Sequence, residues 1–94
     1  MIIAFDFGLK NIGVAIGTKI LKQGRALNKL TARNGYPNWN DIKYLLNIWK
    51  PNFIIVGLPL NMDGTKQEIT QKAEKFANLL KKNFILLSSY TMND

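Results

Sequence analysis

Two short apolar runs constrain this chain most. The first, Ile2-Ile3-Ala4-Phe5-Asp6-Phe7, carries a single acid inside an otherwise apolar stretch; the second, Phe53-Ile54-Ile55-Val56, carries none. Runs of this length without polar alternation read as strands buried on both faces, the habit of strands in a layered α/β sheet. On that reading Asp6 stands in a dry strand. A lone buried carboxylate costs several kcal/mol unless it is paired or bound to a metal. Asp6 is therefore the most informative side chain of the sequence.

The rest of the pattern fills in around these runs. Gly8-Leu9-Lys10-Asn11 is a turn, and Ile12-Gly13-Val14-Ala15-Ile16-Gly17 alternates large and small as a second strand would. A third strand is expected within residues 20–30. Asn34-Gly35-Tyr36-Pro37 reads as a loop, and Asn38 as the cap of a helix whose apolar face is Trp39, Ile42, Leu46 and Trp49. Pro51 ends that helix. Gly57-Leu58-Pro59 breaks the strand that begins at Phe53. Residues 65–82 form the clearest helix, with Thr65 and Glu68 as a capping box and Ile69, Ala73, Phe76 and Leu80 as its buried stripe. Lys81 and Lys82 sit where a helix C-terminus favours cations. A last strand is expected from Phe84. The order β-β-β-α-β-α-β predicts an α/β domain, a mixed sheet flanked by helices, in one unit over residues 1–94.

Composition removes several chemistries. The 94 residues include no Cys and no His. Disulfides, thiolate nucleophiles, a Ser-His-Asp triad and His-ligated metals are excluded. A metal would need oxygen ligands, which points to Mg²⁺, Mn²⁺ or Ca²⁺. The net charge of +7 suits a polyanionic partner, although an A/T-rich coding sequence, which favours Lys, Asn and Ile, produces the same excess. No apolar run approaches the roughly 18–20 residues of a membrane helix, and the first residues lack a basic leader, so no membrane is expected and the cytoplasm is the default location.

Two segments hold the candidate residues. Asp6 precedes Gly8, where a missing side chain lets a phosphate or a metal come close; alternatively, Asp6 caps the hairpin turn. Lys10 lies beside it and is the preferred phosphate contact. The stretch Val56-Gly57-Leu58-Pro59-Leu60-Asn61-Met62-Asp63-Gly64-Thr65 leads from a strand into a helix, the place where open α/β sheets bind ligands. There Asn61, Thr65 and Lys66 are candidate phosphate contacts. The alternative is an ordinary turn, since Asp63-Gly64 is a turn pair and Thr65 a common cap. Trp39, Trp49, Tyr44 and Tyr36 could stack on bases, but the two Trp side chains lie on the buried stripe and read as core.

Together the segments resemble one family. Phe5-Asp6-Phe7-Gly8-Leu9-Lys10-Asn11-Ile12-Gly13-Val14-Ala15-Ile16-Gly17 is similar to the opening of the YqgF proteins, Holliday-junction-resolvase-like proteins described as pre-16S rRNA nucleases. Ile55-Val56-Gly57-Leu58-Pro59-Leu60-Asn61-Met62-Asp63-Gly64-Thr65 resembles their second signature, as does Lys75-Phe76-Ala77. The resemblance runs over residues 2–84. It implies a ribonuclease H-like fold and a metal-dependent nuclease, a hydrolase of phosphodiester bonds in the cytoplasm. Its role would be to mature the 5′ end of small-subunit rRNA during ribosome biogenesis. The implied partner is RNA, as pre-16S rRNA or a pre-ribosomal particle, with branched DNA as a further substrate.

In such a fold a carboxylate cluster holds two Mg²⁺ or Mn²⁺ ions that activate water and stabilise the leaving oxygen. Asp6 matches the family's first carboxylate, which makes it the catalytic and metal-binding candidate. The family's later Asp-Glu-Arg motif and the Asp of its last helix have no counterpart here, and residues 85–94 do not resemble the family. The expectation is a domain incomplete at its C-terminus, without the final helix. Read from the third base of each codon, residues 88–94 can spell Lys-Leu-(His/Tyr)-Asp-Glu-Arg. A base lost near Lys81-Lys82-Asn83-Phe84 would account for that, and the alternative function is an inactive frameshifted remnant that at most binds nucleic acid.

Overall fold

The structure is a computed structural model that describes residues 1–18, 24–61 and 63–83 together with the strand backbone of 88–93. The described residues run β1 (Ile2–Asp6), β2 (Asn11–Gly17), β3 (Arg25–Ala26), β4 (Leu30–Arg33), β5 (Tyr36–Pro37), α1 (Trp39–Trp49), β6 (Phe53–Leu58), α2 (Glu68–Asn83) and β7 (Ser88–Asn93). The strands form one mixed sheet in the order β5-β4-β2-β1-β6-β7, with β3 pairing β2 beside this path. β1 is central. It runs antiparallel to β2 and parallel to β6, and β6 runs parallel to β7.

One face of this sheet is packed and the other is open. Ile3, Phe5, Ile12, Val14, Ile16, Ile54 and Val56 point to one side, where they meet Ile42 and Leu46 of α1 and Ala73, Phe76, Ala77 and Leu80 of α2 in a single core. Phe76 is its hub: the rings of Phe5, Phe7 and Trp39 lie 5.7, 5.5 and 5.6 Å from it, Phe5 edge-on and Trp39 stacked. The alternate residues Ile2, Ala4 and Asp6 face the other way and no described helix covers them.

The expectation of strands buried on both faces is therefore corrected. Both helices pack on the same side, so half-buried apolar residues and an exposed Asp6 share the uncovered side. The desolvation argument for Asp6 falls with it, because this carboxylate is not in a dry strand.

Local expectations are met in part. Asn38 caps α1, its Oδ1 accepting the Asn40 N–H at 3.0 Å. Lys50, in the left-handed conformation, closes the helix one residue before Pro51. Trp39 and Trp49 pack against the core as half-buried residues, and the Arg25 guanidinium lies 5.2 Å from the Trp49 ring. Residues 34–37 are not simply a loop: Asn34 and Gly35, with φ of 52° and 86°, form the two-residue turn of a β4–β5 hairpin.

Other boundaries move. β6 continues through Gly57 to Leu58. α2 starts at Glu68, and the Thr65–Glu68 capping box does not form: the Thr65 hydroxyl accepts from Asn61 Nδ2 and donates to Asp63 instead. The Thr70 side chain takes over at this helix end. Its Oγ1 accepts the Gln67 N–H at 2.9 Å and donates to the Pro59 carbonyl, which fastens the loop between β6 and α2 to the helix. Residues 20–23, within the span expected for a third strand, and Phe84, expected to open the last one, lie outside the described residues; β3, β4 and β7 stand close by.

Candidate active site

Asp6 is the last residue of β1, and the sheet register decides what surrounds it. Across β2 its partner is Gly13, and across β6 its partner is Gly57. Paired residues share a face, so the carboxylate emerges on the open side with no side chain on either neighbouring strand. The preceding row on that face is Ala15, Ala4 and Ile55. The result is an open concavity of about 810 Å³, lined by Ala4, Asp6, Gly13, Ala15, Ile55 and Gly57 among others.

Gly13 has no backbone reason to be glycine, since positive φ among the glycines is confined to Gly35 and Gly64. Its reason is room. A Cβ there would lie 3.3 Å from the Cβ of Asp6 and 4.0 Å from its Oδ2. Gly8 is required by the tight β1–β2 turn itself, where a Cβ would run into the carbonyl oxygen of Asn11.

Lys10 is exposed in that same turn, and its carbonyl accepts the Ala32 N–H at 2.8 Å, which pins the turn to β4. Asn61, Thr65 and Lys66 occupy the loop that leaves β6. Asn61 Nδ2 donates to Thr65 Oγ1 at 3.0 Å, and Thr65 donates to Asp63 Oδ1 through its amide at 3.0 Å and its hydroxyl at 2.6 Å. These hydroxyl and amide bonds, the hydroxyl first, hold the Asp63 carboxyl below its ordinary range. Lys66 pairs with Glu74 at 3.1 Å. The loop has the make-up of a self-contained turn, and none of its described residues lines the concavity in front of Asp6.

A two-metal centre asks for several carboxylates within reach of one another. The described residues contain no group of three or more His, Cys, Asp or Glu side chains that could hold a metal ion. Among the described residues, Asp6 is the one carboxylate lining the concavity. These residues do not by themselves fit a metal pair, and no step is assigned to one. What they provide is an accessible anionic oxygen with cleared flanks. Sequence reasoning found Asp6 and missed Gly13 and Gly57. The signal was present in the small residues at every second position, Gly13, Ala15 and Gly17, but assigning them to Asp6 requires the strand register.

Comparison with known proteins agrees with this architecture. The resolvase of Fowlpox virus, solved with Holliday junction DNA, superposes with a TM-score of 0.61 at 18% identity, over 100% of this chain and 62% of the viral one. RuvC of T. thermophilus with a Holliday junction substrate gives a TM-score of 0.61 at 14% identity, over 98% of this chain and 62% of that one. At such identities the likeness establishes the ribonuclease H-like fold.

In sequence, the chain is 71% identical over 84 residues to a protein of Buchnera aphidicola subsp. Schizaphis graminum named "Putative pre-16S rRNA nuclease", covering 89% of this chain and 61% of the relative. A Yersinia pestis protein of the same name is 53% identical over 83 residues, 88% of this chain and 59% of the relative. The chain thus spans about three fifths of the length of these relatives. The family model described as "RuvX: Holliday junction resolvase" matches residues 1–94. The chain belongs to this RuvX family of Holliday junction resolvase-like proteins.

Proposed function

We propose that this chain acts on the phosphodiester backbone of RNA, as a cytoplasmic nuclease maturing the 5′ end of pre-16S rRNA in a pre-ribosomal particle, with Asp6 as its essential carboxylate. The observation that carries the reading is the setting of Asp6: exposed at the end of the central strand, with glycine at both cross-strand positions and a broad concavity in front. A structural acid at a strand end needs no such clearance, whereas a phosphodiester approaching a carboxylate does. The names of the relatives supply the substrate class. The net charge of +7 favours a polyanion, and exposed Lys10 is the cation nearest in sequence to Asp6. Asn61, Thr65 and Lys66 are further proposed contacts, available where an incoming phosphate displaces their mutual hydrogen bonds.

When bound, Mg²⁺ or Mn²⁺ would supply the Lewis acidity for hydrolysis. Asp6 contributes the negative oxygen, Gly13 and Gly57 keep its approach clear, and Lys10 offsets phosphate charge. No described helix is long and apolar enough to cross a membrane, in keeping with a soluble substrate.

A second reading rests on the single carboxylate that the described residues bring to the concavity: the chain binds nucleic acid without cutting it. One experiment separates the two. The chain and its Asp6→Asn variant are incubated with an end-labelled pre-16S rRNA fragment in Mg²⁺ or Mn²⁺, and binding is measured in parallel across salt concentrations. Cleavage lost in Asp6→Asn supports the nuclease. Salt-dependent binding without cleavage, indifferent to Asp6→Asn, supports the binder.

A further inference from the structure

Besides Arg25 over Trp49, the described residues bring cations to an aromatic ring around the Asn34-Gly35 turn. The Asn34-Gly35 turn sets Tyr36 on the edge hairpin, 54% exposed, with Arg33 as its cross-strand partner. α2 brings Lys72 and Lys75, three residues apart on one side of the helix, against this turn. Lys72 Nζ donates to Asn34 Oδ1 at 2.8 Å, and Lys75 Nζ donates to the Tyr36 hydroxyl at 3.3 Å while lying 5.6 Å from its ring centroid. Asn34, Tyr36, Trp39, Lys72 and Lys75 line a shallow surface cleft of about 20 Å³ above Phe76.

Two features separate this cleft from an ordinary solvated face. First, both ammonium groups rest on neutral oxygens. Among the described residues neither lysine meets a carboxylate, in contrast to Lys66, which is paired with Glu74. Their positions are fixed and their charges uncompensated, the arrangement an incoming anion completes. Second, the exposed ring stands beside them and is held by a turn that only two positive-φ residues can form. Fixed cations next to an exposed aromatic ring suit a strand whose bases are free to stack; paired bases inside a duplex present no face to a side chain.

The geometry points to a subsite for one unpaired nucleotide, its base stacked on Tyr36 and its phosphate between Lys72 and Lys75. The choice of nucleic acid as ligand rests on the function proposed above; the site itself does not involve Asp6. The two are nonetheless neighbours. Phe7, next in sequence to Asp6, packs against Phe76, and a Cβ on Gly35 would lie 2.8 Å from its Cζ. The cleft and the carboxylate therefore lie near the same end of β1, on opposite faces of the sheet.

The test compares binding of a labelled single-stranded oligoadenylate with that of an RNA duplex of the same length. The proteins are the full chain and the variants Tyr36→Leu, Tyr36→Phe and Lys72→Gln/Lys75→Gln, each checked for an unchanged circular dichroism spectrum. Tyr36→Leu is expected to weaken single-strand binding on the order of tenfold and leave duplex binding unchanged, while Tyr36→Phe keeps most of the affinity. The double lysine variant is expected to flatten the dependence of log K on log salt by about 0.7, one phosphate on a single strand. Single-strand binding unaffected by Tyr36→Leu overturns the subsite. So does an equal loss for strand and duplex, or an unchanged salt slope. Cleavage of a precursor RNA is a separate readout: its absence, with the Tyr36 effect intact, removes the nuclease and leaves the subsite standing.

Discussion

Replacing Gly13 by valine should leave the fold intact and disable the site. Gly13 lies within β2 with no positive φ, so its backbone accepts any residue suited to a strand. Glycine inside a strand costs roughly 0.5–1 kcal/mol relative to alanine through the conformational entropy it loses on folding. Valine recovers that amount and fits a pleated surface. Against the gain stands the Cβ contact at 3.3 Å from the Cβ of Asp6, which Asp6 relieves by shifting a few tenths of an ångström. The two effects nearly cancel. One kcal/mol moves the melting temperature of a domain this size by about 4–8 °C, so Tm is expected to stay within that window.

The carboxylate fares differently. It is displaced, and two methyl groups close one of its two cleared flanks. Misplacement of a reacting group by about 1 Å costs on the order of 10²-fold in rate; for a few tenths of an ångström with one flank blocked, a loss on the order of tenfold is expected in cleavage of a labelled rRNA precursor. Thermal melting by circular dichroism and the cleavage assay are run on the same preparation. A valine variant that melts normally and cuts like the parent would refute the argument that Gly13 is glycine for the sake of Asp6. A variant that unfolds would show that the backbone needs glycine after all.

Three further outcomes follow from individual contacts. Gly35→Ala places a Cβ 2.8 Å from Phe7 Cζ at a residue with φ of 86°; the conformational and packing costs together come to about 2–5 kcal/mol, visible as a fall in Tm of more than about 10 °C. Thr70→Val leaves the Pro59 carbonyl and the Gln67 amide without their hydroxyl partner and should lower urea stability by about 1–3 kcal/mol, mostly by freeing the start of α2. Asp63 has its carboxyl held low by Thr65, so the stability it lends the loop is present above the ordinary carboxylate range and is lost as pH falls through its depressed value; Asp63→Ala should therefore destabilise near neutral pH and cost nothing in strong acid, as read from melts across pH.

Much of the fold was legible because hydrophobic runs and caps act locally. The runs at Ile2 and Phe53 became the central parallel pair, Asn38 capped α1 as read, and Ala73, Phe76 and Leu80 are the buried stripe of α2. The number of covered sheet faces was not legible in the runs themselves, although the absence of a final helix pointed to one face being left partly uncovered. An apolar run reports that a strand is apolar, and Ile2, Ala4 and Ile55 are equally apolar whether or not a helix lies over them. That is why Asp6 was expected in a dry strand and stands exposed instead.

The same limit applies to the site. Asp6 was named from its own segment, whereas Gly13 and Gly57 matter through a register that joins three strands distant in sequence. Thr65 shows the opposite failure. Its spacing to Glu68 suits a capping box, but the Thr65 hydroxyl is held within the loop by Asn61 and Asp63, and Thr70 accepts the Gln67 N–H at the actual helix start. The Asn34-Gly35 pair was an available hairpin signal. Reading it would have placed Tyr36 on an edge strand opposite Arg33 rather than in a loop.

The central claim is that the backbone of a nucleic acid meets this protein on the helix-free face, at Asp6 between its two glycines. The most direct measurement is amide mapping by nuclear magnetic resonance on the isotope-labelled chain as a pre-16S rRNA fragment is added. The expected result is that the Gly13 and Gly57 amides, with that of Phe7, shift earliest and saturate together. Shifts confined to the outer side of α1 around Tyr44 and Ile48, with Gly13 and Gly57 unmoved at saturation, would contradict the account.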